Sequence, residues 1–231
     1  MPHPILITGV GREGQVGEAV ARALAATGAP LALVDRTPEH VEARAAALRA
    51  EGRDAHAFAC DLTVDEEVEA TVARVREAVG DVGALVCVAG GFQPGTVAES
   101  DSDVWGRMLS RNGKTAMLVT RAALPMLRRT RGSVVYFGSV AALPGATGAG
   151  MAAYAAAKGV VLALMRAVAE EERAHGVRAN AVAPTSIRTA DNVAAMGDRG
   201  DYVSREDVAA AVAWLCSDAA RGVTGQVVRL G

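Results

Sequence analysis

"PILITGVGREGQVGEAVARAL", residues 4–24, decides how the rest of this 231-residue chain is read. The apolar run 4–8 suits a buried strand, and residues 15–27 carry helical spacing. Between them lies the glycine loop "TGVGREGQVG" (8–17). Glycines at a strand-to-helix turn let the backbone approach a pyrophosphate, whose charge is then held by the N–H groups of the helix N-terminus. A glycine-rich turn alone is weak evidence. Here a second strand, "PLALVD" (30–35), follows and ends in Asp35, an acid placed to accept hydrogen bonds from the adenosine ribose hydroxyls of a dinucleotide.

The same alternation continues to the end of the chain. Further apolar runs are "DAHAFAC" (54–60), "GALVCVA" (83–89), "GSVVYFG" (132–138), "VRANAVA" (177–183) and "QVVRL" (226–230). Helical stretches are expected at 38–51, 64–79, 103–129, 151–175 and 205–218. Near-continuous apolar strands mean that both faces of the sheet are covered, as in parallel α/β proteins. No composition break marks a linker and no repeat is present. The expected fold is α/β, a Rossmann-type doubly wound sheet of seven parallel strands forming a single domain over residues 1–231. Thr37 and Pro38 supply an N-cap and a first-turn proline, and Asp61 and Thr63 precede the acidic helix start "VDEEVE" (64–69). Pro125 should kink the long fourth helix or end its regular part.

Composition narrows the function classes. A net charge of −2 and scattered arginines give no footprint for nucleic acid. Cys60, Cys87 and Cys216 are odd in number and far apart, which favours buried thiols in a reducing compartment. The four histidines lack metal-ligand spacing, so no metal is expected. No signal peptide is evident and no apolar run approaches a membrane span, so the expectation is a cytoplasmic protein without a membrane partner. "GKT" (113–115) suggests a phosphate loop, but its earlier glycine would fall at Met108 and the stretch lies within a helix.

"YAAAK" (154–158) stands out because the chain has only two lysines, Lys114 and Lys158, among 24 Lys+Arg. Positions i and i+4 share a helix face, so Tyr154 and Lys158 are brought together by spacing alone. Such pairs are common on helix surfaces, and the neighbouring motifs decide the matter. The order of the glycine loop, "CDLT" (60–63), "VAGG" (88–91), Asn112, Ser139 in "FGSVAA", "YAAAK" and "NAVAPTSIRT" (180–189) resembles the short-chain dehydrogenase/reductase family over essentially the entire chain.

The resemblance implies a catalytic set of Asn112, Ser139, Tyr154 and Lys158. Tyr154 would be the acid/base toward a carbonyl or alcohol oxygen, with Lys158 and the oxidised nicotinamide lowering a pKa that is ordinarily near 10. Ser139 would hydrogen-bond the substrate oxygen, and Asn112 would hold a water linking Lys158 to solvent. Cofactor contacts would come from Gly9, Gly11, Arg12, Gln15, Val16, Asp35, Arg36, Asp61, Leu62, Ala89, Gly90, Lys158, Pro184, Ile187 and Thr189, with Asp61 facing the adenine. The implied activity is NAD(P)-dependent interconversion of a secondary alcohol and a ketone, 3-oxoacyl thioesters included. The partners would be a small-molecule substrate and, through the apolar helices 103–129 and 151–175, further copies of the chain in a homodimer or homotetramer.

Several departures qualify this picture. The glycine loop is two residues longer than the common family form, with Gln15 where the second glycine usually stands. That length resembles the enoyl-acyl-carrier-protein reductases, but their tyrosine lies seven before the lysine, here Met151, so carbonyl chemistry is favoured. The family's "NNAG" is "CVAG" here, with Cys87 and Val88 replacing two asparagines, and Thr185 follows Pro184 in place of glycine. Residues 190–203 form a short polar segment read as a mobile lid over the substrate. Asp35 repels a 2′-phosphate and favours NAD, whereas Arg36 and Arg12 are placed to favour NADP. The altered loop and lost asparagines also motivate a second reading, a dinucleotide-binding sensor or scaffold with weak catalysis.

Overall fold

The structure, a computed structural model, describes residues 2–231. Seven parallel strands lie in the order β3-β2-β1-β4-β5-β6-β7. They are β1 (Ile5–Thr8), β2 (Leu31–Asp35), β3 (Ala55–Ala59), β4 (Ala84–Cys87), β5 (Ser133–Phe137), β6 (Arg178–Pro184) and β7 (Val227–Leu230). The helices are α1 (Val16–Ala25), α2 (Pro38–Ala50), α3 (Asp65–Val79), α4 (Ser102–Leu109), α5 (Thr115–Thr130), α6 (Ala152–Glu171), α7 (Ala190–Met196) and α8 (Arg205–Cys216). Strand order reverses between β1 and β4, so the loops leaving their C-terminal ends open a crevice there.

The strand sequences build two cores. Leu6 and Val34 face one layer with residues of α3, α5 and α6, whereas Ile5, Ile7, Leu31 and Leu33 face the other with α1, α2 and α8. Both faces of β1 are therefore buried, which explains why its sequence is apolar without alternation. By length and composition, α6 is also apolar enough to cross a membrane, contrary to the expectation that no run qualifies. Its Ala157, Val161, Leu162 and Met165 are buried within the fold, so its apolarity is that of a core helix.

The expected helix 103–129 differs in the structure. It is α4 and α5 joined by a π-helical turn, Ser110–Lys114. Pro125 does not end it: α5 continues to Thr130, with Ala123, Met126 and Leu127 buried beside the proline. That packing outweighs the one backbone hydrogen bond proline cannot make. Thr37 occupies the N-cap of α2 and Pro38 its first turn, but the Thr37 side chain makes no capping bond. The segment 190–203 contains the short helix α7, capped by Thr189 through the N–H of Asn192 at 3.2 Å.

Candidate active site

The crevice above β1 and β4 is a cleft of about 490 Å³. It gathers Gly9, Gly11, Arg12, Gln15, Val16, Asp35, Arg36, Asp61, Leu62, Ala89 and Gly90 from the expected cofactor set. Sequence reasoning missed Thr37, His40, Cys60, Arg111 and Thr115, which also line it. Arg111 was within reach of inference, since it adjoins Asn112, but which way it turns depends on the π-helical turn. A cavity of about 540 Å³ at the opposite end of the sheet holds none of the expected residues. Helices α1, α5 and α8 end there, and of its arginines Arg178 donates to the carbonyls of Ser217 and Val223.

Three glycines shape the cleft floor. Gly9 has φ +76°, and a Cβ there would lie 2.6 Å from the Ala89 nitrogen. A Cβ on Gly17 would lie 2.1 Å from the Gly9 carbonyl oxygen, and one on Gly11 would meet the Asp35 carboxylate at 2.6 Å. The loop can pack this closely against β2, α1 and the segment after β4 only because side chains are absent. Gln15 caps α1 without a side-chain hydrogen bond. The first-turn N–H groups of α1 are left for an anion, and the cradle fits a dinucleotide pyrophosphate.

Asp35 accepts from the Thr37 N–H at 3.1 Å, which fixes the carboxylate at the rim. Asp61 accepts from both the N–H (2.9 Å) and hydroxyl (2.7 Å) of Thr63. The hydroxyl and N–H of Thr63, with lesser help from the Arg36 and Arg111 charges, hold the Asp61 carboxyl below the usual range. Arg12 is turned away from Asp35: it forms a two-pronged pair with Asp191 of α7, one arm at 3.1 Å.

The lengthened loop is tied to the neighbouring segment. Gly14, at φ +74°, accepts from the Ala190 N–H at 3.0 Å and donates its own N–H to Glu18 at 2.7 Å. Glu18 also pairs with Arg44 at 3.0 Å and lies 3.7 Å from Arg205. The extra residues therefore serve as an anchoring tab between the cleft and α7.

The four residues expected to act in catalysis converge at the inner end of the cleft. The wide π turn directs the buried Asn112 toward Gly90 and Gly91. Its amide nitrogen donates to the carbonyls of Gly91 and Met108, both at 3.0 Å, and its oxygen accepts from the Gly91 N–H at 3.3 Å. Asn112 is thus first a clamp on the loop after β4. A Cβ on Gly90 would stand 2.7 Å from the Asn112 oxygen and 3.3 Å from Lys158 Nζ, so both groups crowd that glycine. Lys158 Nζ donates to the Phe137 carbonyl at 2.8 Å and lies 5.8 Å from the centre of the Tyr154 ring. Ser139 caps the turn after β5 through the Ala141 N–H at 3.3 Å.

Pro184, Ile187 and Thr189 lie outside the lining of the 490 Å³ cleft. Pro184 ends β6, Ile187 bridges to Val203, and Thr189 caps α7. Thr185, where glycine was expected, donates its N–H to the Leu230 carbonyl at 2.9 Å and lacks a positive φ, so a side chain is tolerated. The lost asparagines are replaced by a buried cluster in which the Tyr136 hydroxyl meets Thr120 Oγ1 at 2.9 Å beside the Cys87 thiol. Burial pushes that thiol up to about 12, so it packs as an inert neutral group.

The family model described as enoyl-(acyl carrier protein) reductase matches residues 9–230. The 2-(S)-hydroxypropyl-CoM dehydrogenase 3 of Xanthobacter autotrophicus is 35% identical, over 96% of this chain and 92% of its own. The chain belongs to the short-chain dehydrogenase/reductase family. It is an oxidoreductase of CH–OH and C=O groups. The meso-2,3-butanediol dehydrogenase of Serratia marcescens is also 35% identical, over 96% and 90% of the two chains. A gluconate 5-dehydrogenase from Burkholderia cenocepacia, solved with NADP and tartrate, superposes with TM-score 0.91 at 26% identity, covering 99% and 93%.

In this short-chain dehydrogenase/reductase, burial dominates the electrostatics of the Tyr154–Lys158 pair. Burial raises the Tyr154 pKa above 10, and hydrogen bonding with Ser139 opposes that shift. Lys158 is fully buried, and desolvation lowers its pKa to about 8. The protein's own groups therefore hold Tyr154 protonated and make the lysine charge costly. The Lys158 ammonium lies 5.8 Å from the centre of the Tyr154 ring.

Proposed function

We propose that this protein interconverts a secondary alcohol and a ketone, with Tyr154 as proton donor or acceptor and NAD in preference to NADP. The observation that carries this reading is that Asn112 and Lys158 crowd Gly90 at the inner end of a glycine-floored cleft, with the Tyr154 ring 5.8 Å from Lys158 Nζ. The dinucleotide, when bound, supplies or takes up the hydride. Ser139 hydrogen-bonds the substrate oxygen beside Tyr154, which protonates it in reduction and accepts its proton in oxidation. Lys158 stabilises negative charge developing on that oxygen, while Asn112 holds the loop after β4 in place. Pro184, Ile187 and Thr189 serve the nicotinamide half, and residues 190–203 form the lid. Ketones here include 3-oxoacyl thioesters; enoyl reduction is disfavoured by the four-residue spacing of Tyr154 and Lys158. The three buried or half-buried thiols suit the cytoplasm.

The test is NADH consumption and formation against a panel of ketones and secondary alcohols. Turnover supports the reading. Cofactor binding without turnover of any member overturns it and leaves the sensor or scaffold reading.

The NAD preference rests on Asp35 at the cleft rim and on Arg12 being committed to Asp191. Asp35→Ala removes the charge that repels a 2′-phosphate while Arg36 stays. The ratio of NAD to NADP in kcat/KM is then expected to fall about tenfold or more, since selectivity here comes from repulsion of the wrong ligand. An unchanged ratio in steady-state kinetics would shift the assignment to another residue.

A homodimer or homotetramer is supported by exposed apolar side chains on adjoining helices: Leu109 of α4, Met117 of α5 and Val160 of α6. A Cβ on Gly113 would meet Val160 at 2.8 Å, which shows how closely these helices lie together. Val160→Arg should convert the assembly to a smaller species in light scattering. An unchanged mass would exclude this face.

A further inference from the structure

We propose that the substrate is an uncharged ketone or secondary alcohol with an apolar flank, and that Phe92 is the residue that selects it. This rests on the reading of Tyr154 as the acid/base. The ring of Phe92 stands edge-on to that of Tyr154, centroids 5.0 Å apart at 80°, and is 58% exposed. It is a large aromatic surface left uncovered beside the Tyr154 ring. A bridge between Gly95 and Met151 fixes its loop, with the Gly95 N–H donating to the Gly150 carbonyl at 2.8 Å just ahead of Tyr154. Trp105 packs against the same apolar cluster as Tyr154.

The charges in the surrounding segments agree. Residues 82–98, which include Phe92, and 132–157, which include Ser139 and Tyr154, contain no Asp, Glu, Lys or Arg. Segment 190–203 and its flank do contain charges, but each is already paired: Arg188 with Asp198 at 2.7 Å, Arg199 with Asp201, and Asp191 with Arg12. Arg111 lies on the dinucleotide side of Gly91, and Lys158 is buried against Phe137. A carboxylate or sulfonate on the substrate would lose water and find no unpaired cation in these three segments, whereas an alkyl or aryl flank would cover Phe92.

The experiment uses matched pairs, acetophenone against 4-acetylbenzoate and 2-octanone against 7-oxooctanoate. Turnover is followed with NADH, and binding to the NADH-loaded protein by saturation-transfer NMR. The expected result is at least a tenfold preference for the neutral member of each pair. Phe92→Ala should raise KM for the neutral member about tenfold while changing kcat less, and Phe92→Leu should restore part of that loss. Binding of the neutral member without turnover would sink the acid/base reading yet support this one. Preference for the charged member, equal binding of both, binding of neither, or a neutral-member affinity unaffected by Phe92→Ala would each overturn the proposal.

Discussion

Exchanging Tyr154 for phenylalanine is expected to lower kcat by about 10²–10⁴-fold, the range over which positioned acid–base groups contribute. The substitution removes one oxygen and leaves the ring. Its edge contact with Phe92 and its packing beside Val104, Met108, Ala153 and Ala157 are retained, so the site keeps its shape. Cofactor affinity, measured by the change in NADH fluorescence on binding, should stay within a few-fold of wild type because the glycine floor is untouched. That combination separates loss of chemistry from loss of fold. Retention of most of the activity would remove Tyr154 from the acid/base role.

Lys158→Met should move activity and stability in opposite directions. Activity falls because the charge that supports the reacting oxygen is gone. Stability rises because folding otherwise buries an ammonium whose pKa drops from 10.5 to about 8. That shift corresponds to about 3 kcal/mol against the folded state. The hydrogen bond from Nζ to the Phe137 carbonyl is also lost, which gives back about 1 kcal/mol. The folded pKa is below the unfolded one, so the unfolded chain binds more protons between about pH 8 and 10.5. The gain in the variant is therefore full below pH 8 and fades as pH rises through that window. Thermal melts of both proteins at pH 7 and at the alkaline end of the window measure it. A variant less stable than wild type at pH 7 would mean that Lys158 is not buried as a costly charge.

What the sequence made legible was whatever depends on local pattern. Apolar runs without alternation gave the parallel sheet, and the loop between β1 and α1 gave the dinucleotide cleft. The i, i+4 spacing gave the Tyr154–Lys158 pair, because a helix delivers that contact regardless of surroundings. What was not legible depends on partners distant in the chain. Arg12 and Asp191 are 179 positions apart, so the commitment of Arg12 to α7 could not be read from the loop. The π turn at 110–114 was hidden because ordinary helix formers surround it, and Gly113 makes sense only once Val160 is seen packed against it. Pro125 does not end the helix for the converse reason: its local preference is real, but buried neighbours on α5 carry the helix past it. The pKa of Lys158 likewise reflects burial, which no spacing rule reports.

The scarcity of lysine has a practical side. Apart from the chain's terminus, amine-directed reagents have two targets, Lys114, exposed at the end of the π turn, and Lys158, buried at the site. A neutral amine is the reactive form, and Lys158 reaches it more than two pH units earlier than an ordinary lysine. Mapping acylation at two positions by mass, with and without dinucleotide, would therefore report on access to the Tyr154–Lys158 pair with almost no background from the rest of the molecule.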